Sequence, residues 1–262
     1  MTNFLKGTCM QTLLLLIASK GLALVNIKNI EYKDKNTIYE GVLVSPEKVS
    51  KDLPMILMVH NWMGVTEETK TQAKRFAELG YQVFAADIYG KNERPKDVKE
   101  AGALAGSYKS NRAKFREHLN LALQTALQQP HVNKKNVAVV GYCFGGTGAL
   151  ELARSGAFVA AVISFHGGLD SPAPADGSRI KAAVLALHGA DDPFVTVKDL
   201  EAFESEMKTN KVSYRLIKYP KAVHSFTEVG AGHDNLKGAA YNESADKASF
   251  EEAKKQLSTV FK

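Results

Sequence analysis

The chain has 262 residues, 45% of them hydrophobic, which suffices for one sizeable core and predicts a single domain. Its formal net charge is +6, but lysines and arginines are interleaved with acidic residues and no basic run contains interspersed aromatics, so no nucleic-acid partner is expected. The two cysteines, Cys9 and Cys143, are too few for a disulfide framework.

The N-terminal segment 1–23 has the pattern of a secretory signal peptide. A basic residue precedes the apolar run 13–18, and small residues follow up to Ala23, where cleavage would leave a mature domain of residues 24–262. The apolar run is too short to cross a bilayer, so no membrane span is predicted. A cleaved signal implies a periplasmic or secreted protein. The alternative is an amphipathic N-terminal segment of a cytoplasmic protein.

After this segment, short apolar runs predict eight strands. The first two are joined by a polar turn, and the third and fourth are almost fully apolar, which is typical of parallel strands buried on both faces. The predicted strands are Val25–Glu31, Ile38–Val44, Met55–Val59, Gln82–Asp87, Asn136–Val140, Val159–Ser164, Ala182–His188 and Val212–Tyr219.

Amphipathic stretches between the strands predict helices. Tyr89–Ala105 is polar and contains glycine, so we expect a loop with a short helix there, whereas Gly167–Ser178 and Val229–Gly238 are predicted loops. Strands that alternate with helices indicate an α/β fold with a mostly parallel sheet, whose ligands bind at the carboxyl ends of the strands. The predicted helices are Thr66–Leu79, Arg112–Gln128, Thr147–Arg154, Val197–Met207 and Asp246–Phe261.

The fifth predicted strand leads into Gly-Tyr-Cys-Phe-Gly-Gly at 141–146 and then into a helix. The pattern G-x-C-x-G is the nucleophile-elbow pattern G-x-S-x-G with sulfur in place of oxygen, and its glycines let strand and helix approach closely. The turn would place Cys143 at a helix N-terminus, where the helix dipole and unpaired N–H groups favour an anion such as a thiolate. The alternative is a buried structural cysteine beside a glycine-rich turn.

An acidic loop and a histidine loop follow later strands. Asp192 lies in His-Gly-Ala-Asp-Asp-Pro-Phe-Val at 188–195, after the seventh strand, and His224 lies in Tyr-Pro-Lys-Ala-Val-His-Ser-Phe at 219–226, after the eighth. These two residues and Cys143 are therefore expected at the same end of the sheet. The chain order of nucleophile, acid and histidine is that of α/β-hydrolases.

From about Ile27 onward the chain resembles the dienelactone hydrolases, or carboxymethylenebutenolidases, of the α/β-hydrolase superfamily. The resemblance implies an α/β-hydrolase fold with an eight-stranded, mostly parallel sheet and helices on both faces. It also implies Cys143 as nucleophile, Asp192 as triad acid and His224 as base. The motifs that carry it are the hexapeptide at 141–146, Ser-Phe-His-Gly-Gly at 164–168, Ala-Asp-Ile-Tyr-Gly at 86–90 and the two loops above.

The residue types support the same chemistry. An imidazole can take the thiol proton, a carboxylate behind it fixes the tautomer, and the thiolate adds to a carbonyl. The resulting oxyanion needs preformed donors, which we expect to be the backbone N–H groups of Phe144 and Trp62. Because thiolate leaves the addition intermediate readily, the substrate needs a good leaving group. An enol lactone or activated ester is therefore the predicted small-molecule substrate, and no cofactor is required.

Several nearby residues are open to two interpretations. Asp191 is the alternative acid, although the motif register favours Asp192. His60 and His188 end strands and are interpreted as structural, and no ligand spacing indicates a metal site among the acidic and histidine loops. Five further side chains could line a substrate pocket or simply pack in the core. These are Asn61, Tyr89, His166, Phe194 and Phe226.

Two positions depart from the family pattern. The dienelactone hydrolases usually carry a glutamate near the thiol in the loop after the third strand, where this chain has Asn61. Lactone-cleaving members also place an arginine just beyond the histidine, where this chain has Glu228. Without a neighbouring carboxylate, we expect Cys143 and His224 to form a resting ion pair.

The alternative function is a non-catalytic hydrolase-fold protein that binds a ligand or senses redox state through Cys143. A monomer is favoured.

Overall fold

The computed structural model of the protein describes residues 24–261. The predicted signal peptide at 1–23, which includes Cys9, lies outside the described residues. Between residues 24 and 261, no helix is both long and apolar enough to cross a membrane.

One sheet of eight strands organises the described chain. Its strands lie in the order β1-β2-β4-β3-β5-β6-β7-β8. Pairs β1–β2 and β2–β4 are antiparallel and all other neighbouring pairs are parallel. This confirms the predicted mostly parallel sheet. The strands are β1 (Val25–Lys33), β2 (Ile38–Pro46), β3 (Leu53–Val59), β4 (Gln82–Ala86), β5 (Val132–Tyr142), β6 (Ala161–Phe165), β7 (Ala183–Gly189) and β8 (Tyr214–Tyr219).

Helices cover both faces of the sheet, as predicted. Apolar side chains of α1 and α6 pack on one face, and those of α2, α3, α4 and α5 pack on the other. The two apolar layers enclose the central strands. Because these strands are parallel, their carboxyl ends lie together at one end of the sheet. Within residues 24–261 the α-helices are α1 (Glu67–Ala77), α2 (Val98–Ser110), α3 (Arg112–Leu127), α4 (Phe144–Arg154), α5 (Val197–Thr209) and α6 (Glu243–Val260).

Helix α2 is longer than the sequence predicted. The side chain of Asp97 accepts hydrogen bonds from the N–H groups of Lys99 and Glu100 and so caps a 13-residue helix where a loop with a short helix was expected. Gly102 and Gly106 lower the helix propensity of this stretch, which explains the error. Tertiary contacts offset this cost, since α2 packs through its buried alanines and Tyr108.

Other differences concern boundaries. Strand β5 begins at Val132 rather than at Asn136, because Leu53 and Pro54 pair with Val132 and Asn133 before a shift in the β3–β5 register. The predicted loop before β7 contains a short 3₁₀ helix at Pro174–Arg179. The carboxyl ends of β5, β7 and β8, which carry the predicted site, lie within about two residues of their predicted positions.

Candidate active site

Cys143 occupies a strained turn between β5 and α4. Its φ angle is 54°, in the left-handed region that non-glycine residues adopt at a cost of about 1–3 kcal/mol. Its N–H donates to the carbonyl oxygen of Phe165 at 3.0 Å, and its own carbonyl oxygen accepts from the N–H of Gly146 at 2.9 Å. These bonds fix the backbone of the turn at the N-terminus of α4.

The turn leaves no room for side chains at its flanking glycines. A Cβ on Gly141 would overlap the carbonyl group of Gly145. A Cβ on Gly145 would overlap the carbonyl oxygen of Val59 and lie 2.6 Å from that of His60. Because all these neighbours are backbone atoms, no rotamer change can relieve the overlap.

We therefore expect Gly145→Ala to lower the free energy of unfolding by more than about 2 kcal/mol, which is typical of overpacking that displaces backbone. Denaturant unfolding measures the change. Gly230→Ala is the matched control, since a Cβ there meets no atom within 4 Å. Equal stability of the two variants would contradict the packing described for the turn.

The side chains of Cys143, His224 and Asp192 form a continuous hydrogen-bonded line. His224 Nε2 lies 3.1 Å from Cys143 Sγ, and His224 Nδ1 lies 2.8 Å from Asp192 Oδ2. The other oxygen of Asp192 accepts from the N–H of Phe194 at 2.8 Å. The three predicted residues are thus brought together in the order that nucleophilic catalysis requires.

The main chain of His224 is held at two points. Its N–H donates to the carbonyl oxygen of Gly238 at 3.1 Å, and its carbonyl oxygen accepts from the N–H of Ala240 at 3.0 Å. Burial alone would lower the pKa of the imidazole. The negative charge of a Cys143 thiolate and hydrogen bonds with Asp192 and Cys143 instead raise the pKa of His224 to about 10. The arrangement therefore favours the protonated form of His224.

The two neighbouring aspartates have different environments. Asp192 is buried, with 6% of its surface exposed, and its carboxylate contacts His224. Asp191 is exposed, and its side chain accepts no hydrogen bond from residues 24–261. The geometry thus favours Asp192 over Asp191 as the acid.

Two backbone N–H groups are available as oxyanion donors. Among the described residues, neither the N–H of Phe144 nor that of Trp62 donates to an acceptor. Both residues line the same cavity as Cys143. The Tyr89 hydroxyl donates to the Trp62 carbonyl oxygen at 3.2 Å and so supports the peptide on the other side of that residue.

A cavity of about 530 Å³ opens beside Cys143. Most of its wall is apolar or glycine, and none of its lining residues is acidic. Lys109 on α2 and Lys237 on a 3₁₀ turn are its two lysines. Neither was predicted, because Lys109 follows a stretch that was interpreted as mainly a loop and neither lysine belongs to a motif. Of the predicted pocket residues, Phe194 lines the cavity. The two predicted oxyanion donors, Trp62 and Phe144, also line it.

His166, Phe226 and Tyr89 do not line this cavity, which corrects the prediction for them. His166 and Phe226 are fully buried, and the His166 ring packs edge-on against His224 at 5.3 Å between centroids. His166 Nε2 also lies 2.8 Å from the hydroxyl of Thr227. Tyr89 is buried against Phe144. These side chains pack in the core next to the residues of the site.

Asn61 also lies outside the lining of the cavity, and its amide is bonded elsewhere. Its Nδ2 donates to Glu228 Oε1 at 3.2 Å, and its Oδ1 accepts from the N–H of Met63 at 2.9 Å. This corrects the prediction of Asn61 as a pocket residue. Glu228 lies just beyond the histidine loop 219–226 and is 167 residues away from Asn61 in sequence, and sequence analysis missed this contact.

The other histidines at strand ends have structural environments. His60 Nε2 accepts from the N–H of Ile88 at 3.2 Å, and burial lowers the pKa of His60. Burial also lowers the pKa of His188. Across residues 24–261, no three His, Cys, Asp or Glu side chains cluster closely enough to hold a metal ion.

Comparison with known proteins identifies relatives along most of the chain. A family model described as the dienelactone hydrolase family matches residues 39–261. A Synechocystis protein provisionally named carboxymethylenebutenolidase is 26% identical over 219 residues, which are 77% of this chain and 87% of that protein. A solved structure named m3DLH is 33% identical, with a TM-score of 0.86, and covers 90% of this chain and 98% of its own. A dienelactone hydrolase-like promiscuous phosphotriesterase from metagenomic libraries is 32% identical, with a TM-score of 0.85 and the same coverage.

Proposed function

The chain belongs to the dienelactone hydrolase family, and from this premise we propose that it cleaves activated esters or lactones through a thioacyl-enzyme formed on Cys143. The observation that carries the proposal is the line of hydrogen bonds from Cys143 Sγ through His224 to Asp192, beside a cavity of about 530 Å³. The fold and the hydrolase class follow from the family. The cysteine nucleophile, the triad roles and the substrate class are our proposals.

Acylation begins with the Cys143 thiolate and the His224 imidazolium. The sulfur forms a bond to the carbonyl carbon of the substrate, and the carbonyl electron pair moves to oxygen. The N–H groups of Phe144 and Trp62 then donate to this oxyanion. When the intermediate collapses, the C–O bond to the leaving group breaks and the imidazolium gives its proton to the departing oxygen.

Deacylation uses the same groups in reverse. His224, now neutral, takes a proton from a water molecule as its oxygen attacks the thioacyl carbon. The second tetrahedral intermediate expels the Cys143 sulfur as thiolate, which restores the ion pair and releases a carboxylic acid. Asp192 keeps the imidazole in the tautomer that presents Nε2 to the sulfur and stabilises the imidazolium.

Sulfur restricts the substrate class. The first tetrahedral intermediate can expel either the Cys143 thiolate or the leaving group of the substrate. An ordinary alkoxide or amine is expelled more slowly than the thiolate, so the intermediate returns to substrate. Enol lactones and aryl esters have leaving groups stable enough for forward collapse. A panel of enol lactones, aryl esters, alkyl esters and amides tests this, with the alkylated protein as control. A phosphotriester belongs in the panel, since one relative is named as a phosphotriesterase. The alternative, a binding or redox-sensing protein, predicts no turnover of any of them.

The lysines of the cavity wall predict a preference for anionic substrates. We expect Lys109→Gln with Lys237→Gln to raise KM roughly fivefold for an aryl ester that carries a carboxylate, since partly exposed charges interact by about 0.2–1 kcal/mol each. KM for a neutral aryl ester should stay unchanged, and added salt should reduce the difference between the two esters. Lys134→Gln, an exposed lysine outside the cavity lining, is the matched control. Equal effects on both esters would rule out an electrostatic contribution.

A further inference from the structure

We propose that Asn61 and Glu228 are positioning residues that hold the oxyanion-donating turn against the histidine loop. The inference rests on the proposed function, because it concerns the N–H of Trp62. In this chain, the two positions that depart from the family pattern contact each other through the hydrogen bond from Asn61 Nδ2 to Glu228 Oε1.

The Asn61 amide has one orientation that satisfies both neighbours. The N–H of Met63 needs an acceptor and finds Asn61 Oδ1, while the Glu228 carboxylate needs a donor and finds Nδ2. Rotation of the amide by 180° would place a donor against the N–H group and an acceptor against the carboxylate. Glu228 therefore sets the direction of the oxygen that holds Met63.

The bond to Met63 closes a turn around Trp62. The Asn61 carbonyl oxygen accepts from the N–H of Gly64 at 3.3 Å, which adds a second bond across the same turn. The Tyr89 hydroxyl holds the Trp62 carbonyl oxygen. With these partners in place, the N–H of Trp62 has no protein acceptor among residues 24–261.

The bridge between Asn61 and Glu228 is partly shielded from bulk water, because Asn61 is buried and Glu228 is half-buried. Asn61 is 7% exposed, and the space beside the two residues is a cavity of about 10 Å³, which is about enough for one water molecule. Solvent therefore competes weakly for the bond. The bridge connects the turn after β3 with the loop that carries His224. It therefore fixes the position of the oxyanion donor relative to the base.

The decisive experiment exchanges donor and acceptor across the bridge. Asn61→Asp supplies an acceptor for Met63 but places a carboxylate against Glu228, and like charges resist sharing a site. Adding Glu228→Gln provides an amide that donates to the new carboxylate at position 61. With p-nitrophenyl acetate, we expect Asn61→Asp to lower kcat roughly tenfold, less than the loss of a whole oxyanion donor. KM should stay within about twofold, because the donor acts mainly in the transition state.

The Asn61→Asp/Glu228→Gln double variant should recover kcat to within about threefold of wild type on the same scale. A double variant no faster than Asn61→Asp, a loss confined to KM, or full activity of Asn61→Asp would each overturn the proposal. If Asn61→Asp does not fold, Glu228→Ala and Glu228→Gln replace it. Glutamine keeps an acceptor for Asn61 Nδ2, so its loss in kcat must be smaller than that of alanine.

Alkylation separates this proposal from the proposed function. Iodoacetamide reacts with a thiolate without forming an oxyanion, so Asn61→Ala, which adds no charge, should lose turnover while Cys143 alkylates at the wild-type rate. If alkylation slows in parallel with turnover, the bridge acts on the thiolate and the positioning role is wrong. If the wild-type protein turns over no ester in the panel, the proposed function itself has failed.

Discussion

The Cys143→Ala variant is expected to lose ester turnover almost completely, with kcat reduced on the order of 10⁵-fold, as when the nucleophile of a triad is removed. The methyl group cannot form a bond to the carbonyl carbon. The remaining groups can only bind substrate and polarise it. Initial rates with p-nitrophenyl acetate measure the loss, and an unchanged unfolding midpoint would show that the fold is intact.

Labelling of the wild-type protein provides an independent measurement. Iodoacetamide should inactivate the protein in proportion to the fraction of Cys143 that is alkylated, as read by peptide mass spectrometry. Cys9→Ala is the matched control, since it removes the other cysteine of the sequence, and it should be inactivated in the same way. Substantial activity in fully alkylated protein, or in Cys143→Ala, would refute the thioacyl mechanism.

The Asp192→Asn variant is expected to lower kcat by roughly 10³- to 10⁴-fold, because an amide can donate to His224 Nδ1 and stabilise the tautomer that cannot accept the thiol proton. An asparagine oxygen can still accept from the N–H of Phe194, so the loop should keep its conformation. His224→Ala should lose at least as much activity. Steady-state kinetics and the unfolding midpoint of each variant check both expectations.

Asp191→Asn is the control that makes the second prediction specific. The two aspartates are adjacent, but the Asp191 side chain is exposed and has no hydrogen bond with the described residues. It should therefore retain activity close to wild type. A severe loss in Asp191→Asn together with a mild loss in Asp192→Asn would reverse the assignment of the acid.

Local sequence patterns predicted the sheet and the three central side chains. The predicted strands that end at Val140, His188 and Tyr219 belong to one parallel sheet, which brings their carboxyl ends together. Cys143 was predicted from the elbow pattern and His224 from the loop after the last strand, together with their chain order. The motif register already favoured Asp192 over Asp191, and the burial of Asp192 and its contact with His224 support that choice.

The parts that were missed depend on contacts between distant segments. Gly102 and Gly106 make α2 look like a loop, and packing against the domain overrides that weak local preference. Helix α2 then brings Lys109 into the cavity wall. The partner of Asn61 is Glu228, and no property of the loop after β3 indicates which distant side chain will meet its amide.

The two backbone hydrogen bonds of His224 determine which part of the cavity rim can change in sequence without moving this residue. The segment after His224 includes Leu236 and Lys237. It ends where Gly238 and Ala240 form backbone hydrogen bonds with His224, so both ends of the segment are fixed at the same residue. Leu236 is 98% exposed, so the exposed part of this segment, after Glu228, can change in length or composition without moving the imidazole. The exposed rim of the cavity can thus vary in sequence and length while His224 keeps its position, since exposed connections tolerate insertion and substitution far better than the elements that anchor them.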